Sequence, residues 1–144
     1  VLGWSSTRHI IDWLIGKEIL VPAPTRTALR SMKAPGTAFQ NDPDLGDDPQ
    51  PKHYANRYKG SADHGGVHIN SGIPNHAFYL AATKIGGHAW DKAGRVWYKV
   101  MHDLLPTSSF ADCAAQCRMV AGGLFGASSA EAKAIDDAWT AVGL

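Results

Sequence analysis

From Val67 to Leu144, apolar side chains return every three or four residues, and that period commits the second half of the chain to helices that each bury one face. Ile73, Ala77, Phe78, Leu80, Ala81 and Ile85 form one stripe, with Pro74 suited to a first turn and Asn70 or Ser71 placed to cap it. A second helix is expected from about Trp90 to Leu105, carrying Ala93, Val96, Trp97, Val100, Met101 and Leu104 inward and stopped by Pro106. Ser108 or Ser109 opens a third, with Phe110, Cys113, Ala114, Cys117, Val120, Ala121 and Leu124 on its inner side and Gly126 at its end. The Ser-x-x-Glu spacing of Ser128 and Glu131 reads as the capping box of the last helix, which buries Ala134, Ile135, Ala138, Trp139 and Val142. Trp13, Trp90, Trp97 and Trp139 fall at apolar positions and are expected in the core.

Residues 1–66 lack any sustained period. An apolar helical or irregular segment near Ile10 to Leu20 leads through Pro22 and Pro24 to a short helical turn expected around Thr27 to Met32. The stretch from Lys33 to His64, rich in Pro, Gly and Asp, reads as a long surface loop. The expected architecture is one mainly α domain over residues 1–144, with four to five packed helices after an irregular half that ends at residue 66. An apolar content of 44% over 144 residues suffices for one core. A net charge of +1 with no basic stripe argues against nucleic acid or an anionic membrane as partner, and no apolar run reaches membrane-spanning length. Cys113 and Cys117, four apart on a helix, share a face at a separation too wide for an unstrained disulfide, so both are expected reduced and packed.

The chemistry concentrates in the run from Asp63 to Gly72. Asp63 precedes His68 by five residues, and Gly65-Gly66 between them lets the backbone fold tightly enough for the carboxylate to return to a ring nitrogen. An aspartate so placed fixes the imidazole tautomer and stabilises its protonated form. Support of this kind is needed, because His68 is expected just before a helix N-terminus, where the dipole disfavours positive charge. On spacing alone, a loop histidine satisfied by a local aspartate is the blander reading. His64, four residues before His68, raises the alternative of a metal-binding pair, although two glycines weaken any helix that would align the rings.

The run Asp63-His64-Gly65-Gly66-Val67-His68-Ile69-Asn70-Ser71-Gly72-Ile73-Pro74-Asn75 resembles the signature of the thermolysin-like neutral zinc metalloendopeptidases. Ala28-Leu29-Arg30-Ser31-Met32 resembles a second block of that family, and the order and spacing agree from Asp12-Trp13-Leu14-Ile15-Gly16 to the closing Ala138-Trp139 region. The resemblance covers nearly the whole chain and is closest to the protealysin-like branch. It implies the helical C-terminal domain of the thermolysin-like fold and an enzyme that hydrolyses peptide bonds. By the same resemblance, His68 donates to the oxyanion formed when water attacks the scissile carbonyl, and Asp63 orients it. Arg30 binds a carbonyl of the substrate. Leu29, Ile15 and Ile19 line an apolar pocket for the residue after the scissile bond, which implies cleavage on the amino side of bulky hydrophobic residues.

The family binds zinc through His-Glu-x-x-His and a later Glu. No His here is followed by Glu, and the only glutamates are Glu18 and Glu131. The resemblance therefore implies that the zinc ligands lie upstream of Val1. The chain is expected to be a C-terminal fragment, inactive alone, that partners an N-terminal catalytic lobe, a peptide or protein substrate and a propeptide or protein inhibitor. Secretion is implied by the family. Calcium fits poorly: Asp12 matches a calcium-binding position, but Leu14 and Lys17 stand where carboxylates are required, Thr27 replaces another aspartate, and Lys17 is expected to pair with Asp12 instead. Asp42, Asp44, Asp47 and Asp48 read as a solvated acidic loop. The reading from a different class is a non-enzymatic helical module that binds peptides or partners.

Overall fold

A computed structural model describes residues 12–144. A two-stranded antiparallel ladder pairs β1 (Leu14–Ile15) with β2 (Arg30–Ser31), in the register Leu14 to Ser31 and Ile15 to Arg30. A 3-10 turn (Lys17–Ile19) follows β1, and a second (Tyr54–Asn56) ends the irregular half. The helices are α1 (Ala62–Asn70), α2 (Gly72–Ile85), α3 (Ala93–Asp103), α4 (Phe110–Phe125) and α5 (Ala130–Ala141). α5 packs on both α2 and α4, and α3 packs on α4 and α2, which makes the expected mainly helical domain. None of these helices is long and apolar enough to cross a membrane.

The core follows the sequence period except at Met101 and Leu124, which were expected inward and are 67% and 37% exposed. Ile73, Val96, Val100, Cys117, Ile135, Trp139 and Val142 are its largest buried side chains, and Ala77, Ala81, Ala114, Ala121 and Ala138 let the helices approach closely between them. Trp139 stacks on Trp97 with ring centroids 5.9 Å apart, and Phe78 meets Trp97 edge-on at 5.2 Å. Trp90 departs from expectation: it is 62% exposed and stacked on His88, because α3 begins only at Ala93 and leaves Trp90 in the preceding turn. Both cysteines are free thiols, as expected. The Cys117 thiol is pushed up by its hydrogen bond with Cys113 and then by burial.

Helix ends correct several sequence readings. At α4, Ser109 rather than Ser108 is the cap: its hydroxyl accepts from the Asp112 amide while the Asp112 carboxylate accepts from the Ser109 amide, a reciprocal box. At α5 the cap is Ser129, one residue later than expected. Glu131 is drawn instead to Lys92 before α3, at 2.6 Å. Neither Asn70 nor Ser71 caps α2, because Ser71 is itself helical and α1 runs into α2 almost without a break. Asn70 turns inward, its oxygen accepting from the Tyr58 amide at 2.8 Å and its amide donating to the Tyr58 carbonyl at 3.0 Å.

The irregular half departs from expectation in kind. No helical turn forms at Thr27 to Met32. Its amides serve the ladder instead, Leu29 donating to the Ile15 carbonyl and Met32 to that of Trp13. Of the apolar segment expected at Ile10 to Leu20, residues 10 and 11 lie outside the described residues; the rest is β1 and a 3-10 turn. Of the four aspartates expected in a solvated loop, Asp44 and Asp47 are exposed as expected, but the other two are internal staples. Asp42 and Asp48 are 4% and 8% exposed. Asp48 accepts from the amides of Gly36, Ala38 and Gln50. Asp42 accepts from Thr25 Oγ1 and Arg26 Nε, each at 2.6 Å, and from the amides of Asp44 and Leu45. Burial alone would raise its carboxyl, but these donors outweigh it and hold Asp42 at about 2. The layer lies on α2 through Gly72, where a Cβ would stand 2.7 Å from the Pro51 carbonyl and 3.0 Å from Gln50 Cβ.

Candidate active site

Four successive residues make the site's backbone unusual. Asp63, His64, Gly65 and Gly66 have φ of 53°, 50°, 83° and 85°, one left-handed turn before the right-handed helix resumes at Val67. Two of the four are not glycine, and such strain persists only where surrounding bonds hold it. Asp63 supplies them. Its Oδ2 accepts from the backbone amides of His68 at 2.8 Å and Ile69 at 2.9 Å, capping the new helix, while its Oδ1 meets His68 Nδ1 at 2.5 Å. The His68 ring, then the Ile69 and His68 amides, hold the Asp63 carboxyl below the usual aspartate value. An ionised Asp63 can only accept, so Nδ1 carries a proton and donates it to the carboxylate. The His68 side chain is 75% exposed, whereas that of Asp63 is only 21% exposed. His68 thus lies within the first right-handed turn rather than before it, and Asp63 is at once its cap and its ring partner.

His64 is not brought into a metal-binding arrangement with His68. The left-handed backbone between them removes the right-handed helix that would align residues four apart, and Asp63 already occupies Nδ1 of His68. Among the described residues, no group of three or more His, Cys, Asp or Glu side chains could hold a metal ion. Asp12 and Lys17 pair at 3.3 Å. The Leu14 amide and then Lys17 hold the Asp12 carboxyl down, so a lysine answers the charge that a cation would have met.

The second group of candidates assembles around the ladder. Ile15 stands opposite Arg30, and a Cβ on Gly16 would lie 2.9 Å from Leu29 Cβ and 3.5 Å from Ile19 Cδ1, so Ile15, Ile19, Leu29 and Arg30 share one neighbourhood. Ile15 and Ile19 are 43% and 75% exposed, which makes them an open apolar wall rather than the lining of a closed pocket. Arg30 is half-buried and its Nη1 donates to the Leu29 carbonyl at 2.8 Å. Arg26 and Arg118, by contrast, are ion-paired. The segment leaving β2 is tied to α2 by His76, whose Nδ1 donates to the Met32 carbonyl at 3.0 Å. A cavity of about 380 Å³ lined by Leu14, Leu20, Val21, Arg26 and Thr27 opens beside the 3-10 turn.

Residues 4–144 match the family model described as thermolysin metallopeptidase, alpha-helical domain. The chain belongs to the thermolysin metallopeptidases. It is 43% identical over 137 residues to Protease PrtS of a Photorhabdus species, covering 92% of this chain and 36% of that one. It is 39% identical over 141 residues to a thermolysin of Alicyclobacillus acidocaldarius, covering 92% of this chain and 24% of that one. The solved precursor of protealysin, a metalloproteinase from Serratia proteamaculans, superposes with a TM-score of 0.84 at 46% identity, covering 92% of this chain and 41% of that one. The chain therefore spans well under half the length of each of these relatives, and its kinship to the protealysin-like branch agrees with the sequence reading.

Sequence reasoning missed the residues that brace the left-handed turn of Asp63 to Gly66 from outside it. Gln50 reaches the His68 carbonyl from 18 residues away, and Tyr58 is bracketed by Asn70 from 12 away. No local motif announces either contact. The capping role of Asp63 was accessible, since an aspartate ahead of a helical run is a common N-cap.

Proposed function

We infer that this chain supplies the carbonyl-polarising side of a peptide-hydrolysing site. His68, as the doubly protonated imidazolium, donates through Nε2 to the oxygen that becomes negative as the scissile carbonyl is attacked, and the ionised Asp63 beside Nδ1 stabilises that charge and sets the direction of the ring. Arg30 donates to a carbonyl of the bound peptide. Ile15, Ile19 and Leu29 meet the side chain that follows the scissile bond, favouring cleavage before bulky hydrophobic residues. The observation that carries the reading is the double grip of Asp63, one oxygen on the His68 ring and the other on its backbone amide, beneath an exposed imidazole.

The zinc that the family implies is not accommodated by the described residues, which hold no suitable ligand group, and no step above is routed through it. The reading assigns the metal to an N-terminal lobe beyond this chain, with which the apolar wall at Ile15 and Ile19 would share the substrate. A propeptide or protein inhibitor that covers the same cleft is part of this reading, for which the precursor form of the protealysin neighbour is the support. Export is part of it too: one relative, 54% identical over 97 residues, is named as an extracellular metalloprotease of Pectobacterium carotovorum.

The test is His68→Ala in the intact, zinc-loaded polypeptide. Loss of an oxyanion donor should lower kcat by roughly a hundredfold or more while zinc content stays the same. Loss of zinc, or an unchanged kcat, would overturn the assignment. The 144-residue chain by itself should neither cleave casein nor retain zinc stoichiometrically.

A further inference from the structure

Gln50 lies in the irregular layer with only 3% of its surface exposed, and it spends its side chain in a lopsided way. Nε2 donates twice, to the His68 carbonyl at 2.9 Å and to Ser71 Oγ at 2.7 Å. Oε1, buried with it, has no hydrogen-bond partner among the described residues. Turning the amide over would set an oxygen against the His68 carbonyl, so the orientation is fixed by the need for a donor. A buried acceptor left unmatched is uncommon enough to require a reason. Here the reason lies at the other end of the amide.

We propose that Gln50 is a positioning residue for His68, an inference that rests on the reading of His68 as the oxyanion donor. Asp63 fixes the amide and ring of His68 from below, but two bonds from one side leave the residue free to pivot with its helical turn. Gln50 supplies the opposing hold on the carbonyl, joined there by Ser71 Oγ, which donates to the same oxygen at 2.7 Å. The hold is anchored in turn. The Gln50 amide donates to Asp48 Oδ1 while Asp48 Oδ2 accepts from Gly36 and Ala38. Residues 36–50 therefore form a brace whose tip presses on the backbone of His68, and Gly72 permits its close approach. A ring that is 75% exposed has little packing of its own, so its direction depends on how firmly the backbone beneath it is fixed.

The experiment compares Gln50→Met with the parent in the intact, zinc-loaded peptidase, reading amide hydrogen exchange and steady-state kinetics together. Losing the donor should speed exchange at the His68 and Ile69 amides by about tenfold, the factor that corresponds to about 1.4 kcal/mol, while amides of α4 and α5 stay unchanged. kcat should fall by about the same factor with KM unaltered, as expected when an interaction made only in the transition state is weakened. Uniform acceleration of exchange across the helices, no change at His68 and Ile69, or an unchanged kcat would each overturn the proposal. If Gln50→Met fails to fold, Gln50→Leu, shorter and equally without a donor, takes its place, and the same outcomes apply. His68→Ala run in parallel separates the two inferences. If it too leaves kcat untouched, the assigned role of His68 fails; if only Gln50→Met is silent, the brace alone is refuted.

Discussion

Gly65 and Gly66 share a left-handed backbone but not a neighbourhood, so one substitution made at each should separate strain from collision. A Cβ at Gly65 would meet no atom within 4 Å. Gly65→Ala therefore carries only the cost of holding an L side chain at positive φ, about 1–2 kcal/mol. A Cβ at Gly66 would stand 2.7 Å from Tyr58 Cδ1 and 2.8 Å from Asn70 Nδ2. Neither neighbour can yield cheaply, because the Asn70 amide is bonded to both backbone groups of Tyr58. Overpacking of this kind adds about 1–3 kcal/mol, which brings Gly66→Ala to about 2–5 kcal/mol in total. Domains of this size have about 5–15 kcal/mol of stability, so the larger loss falls within reach of urea titration on the 144-residue chain at constant m. Exchange at His68 and Ile69 should rise in step for Gly66→Ala. Equal destabilisation by the two variants, or a larger effect at Gly65, would refute the view that the Asp63 turn is clamped against Tyr58 and Asn70.

The acid limb of stability should report the Asp42 staple. Its carboxyl sits at about 2, below its ordinary 3.8, so its stabilisation is complete above about pH 4 and is lost as pH falls through 2. Asp42→Asn should flatten that limb in acid-titration circular dichroism, and identical limbs would count against the staple. Asp63, also held low, should release the His68 and Ile69 amides to exchange over the acid range below its ordinary value, and Asp63→Asn should abolish that pH dependence. In the core, Ile135→Ala removes a fully buried side chain and should cost about 2–5 kcal/mol, whereas Met119→Ala, at 63% exposure, should stay within about 0.5 kcal/mol by thermal melting. Similar losses for the two would refute the assignment of the inner faces.

Much of the candidate site was legible because its signal is local. Asp63, two glycines and His68 lie within six residues, and the left-handed turn that joins them is what that spacing allows. Arg30 was legible as a residue type in a motif, but its setting was not. A helical turn was expected from local pattern, and β2 formed because Ile15 and Trp13, 14 and 19 residues earlier, accept the amides of Leu29 and Met32. The acidic loop misled in the same way. Composition sees four aspartates and assigns them to solvent, yet two are buried because Thr25, Arg26 and the amides near residues 36–50 converge on them.

By itself, then, the sequence determined most of the inward faces of the four long helices, Met101 and Leu124 excepted, and which carboxylate belongs to His68, since both follow from periodicity and short-range geometry. Only the tertiary structure decided that Gln50 would press on the His68 carbonyl, that Asn70 would brace Tyr58 and that a strand would present Arg30. Those contacts join residues at least 12 apart in the chain. A hydrogen bond at such separation is fixed by where packed elements come to rest, and no local preference of either partner encodes it.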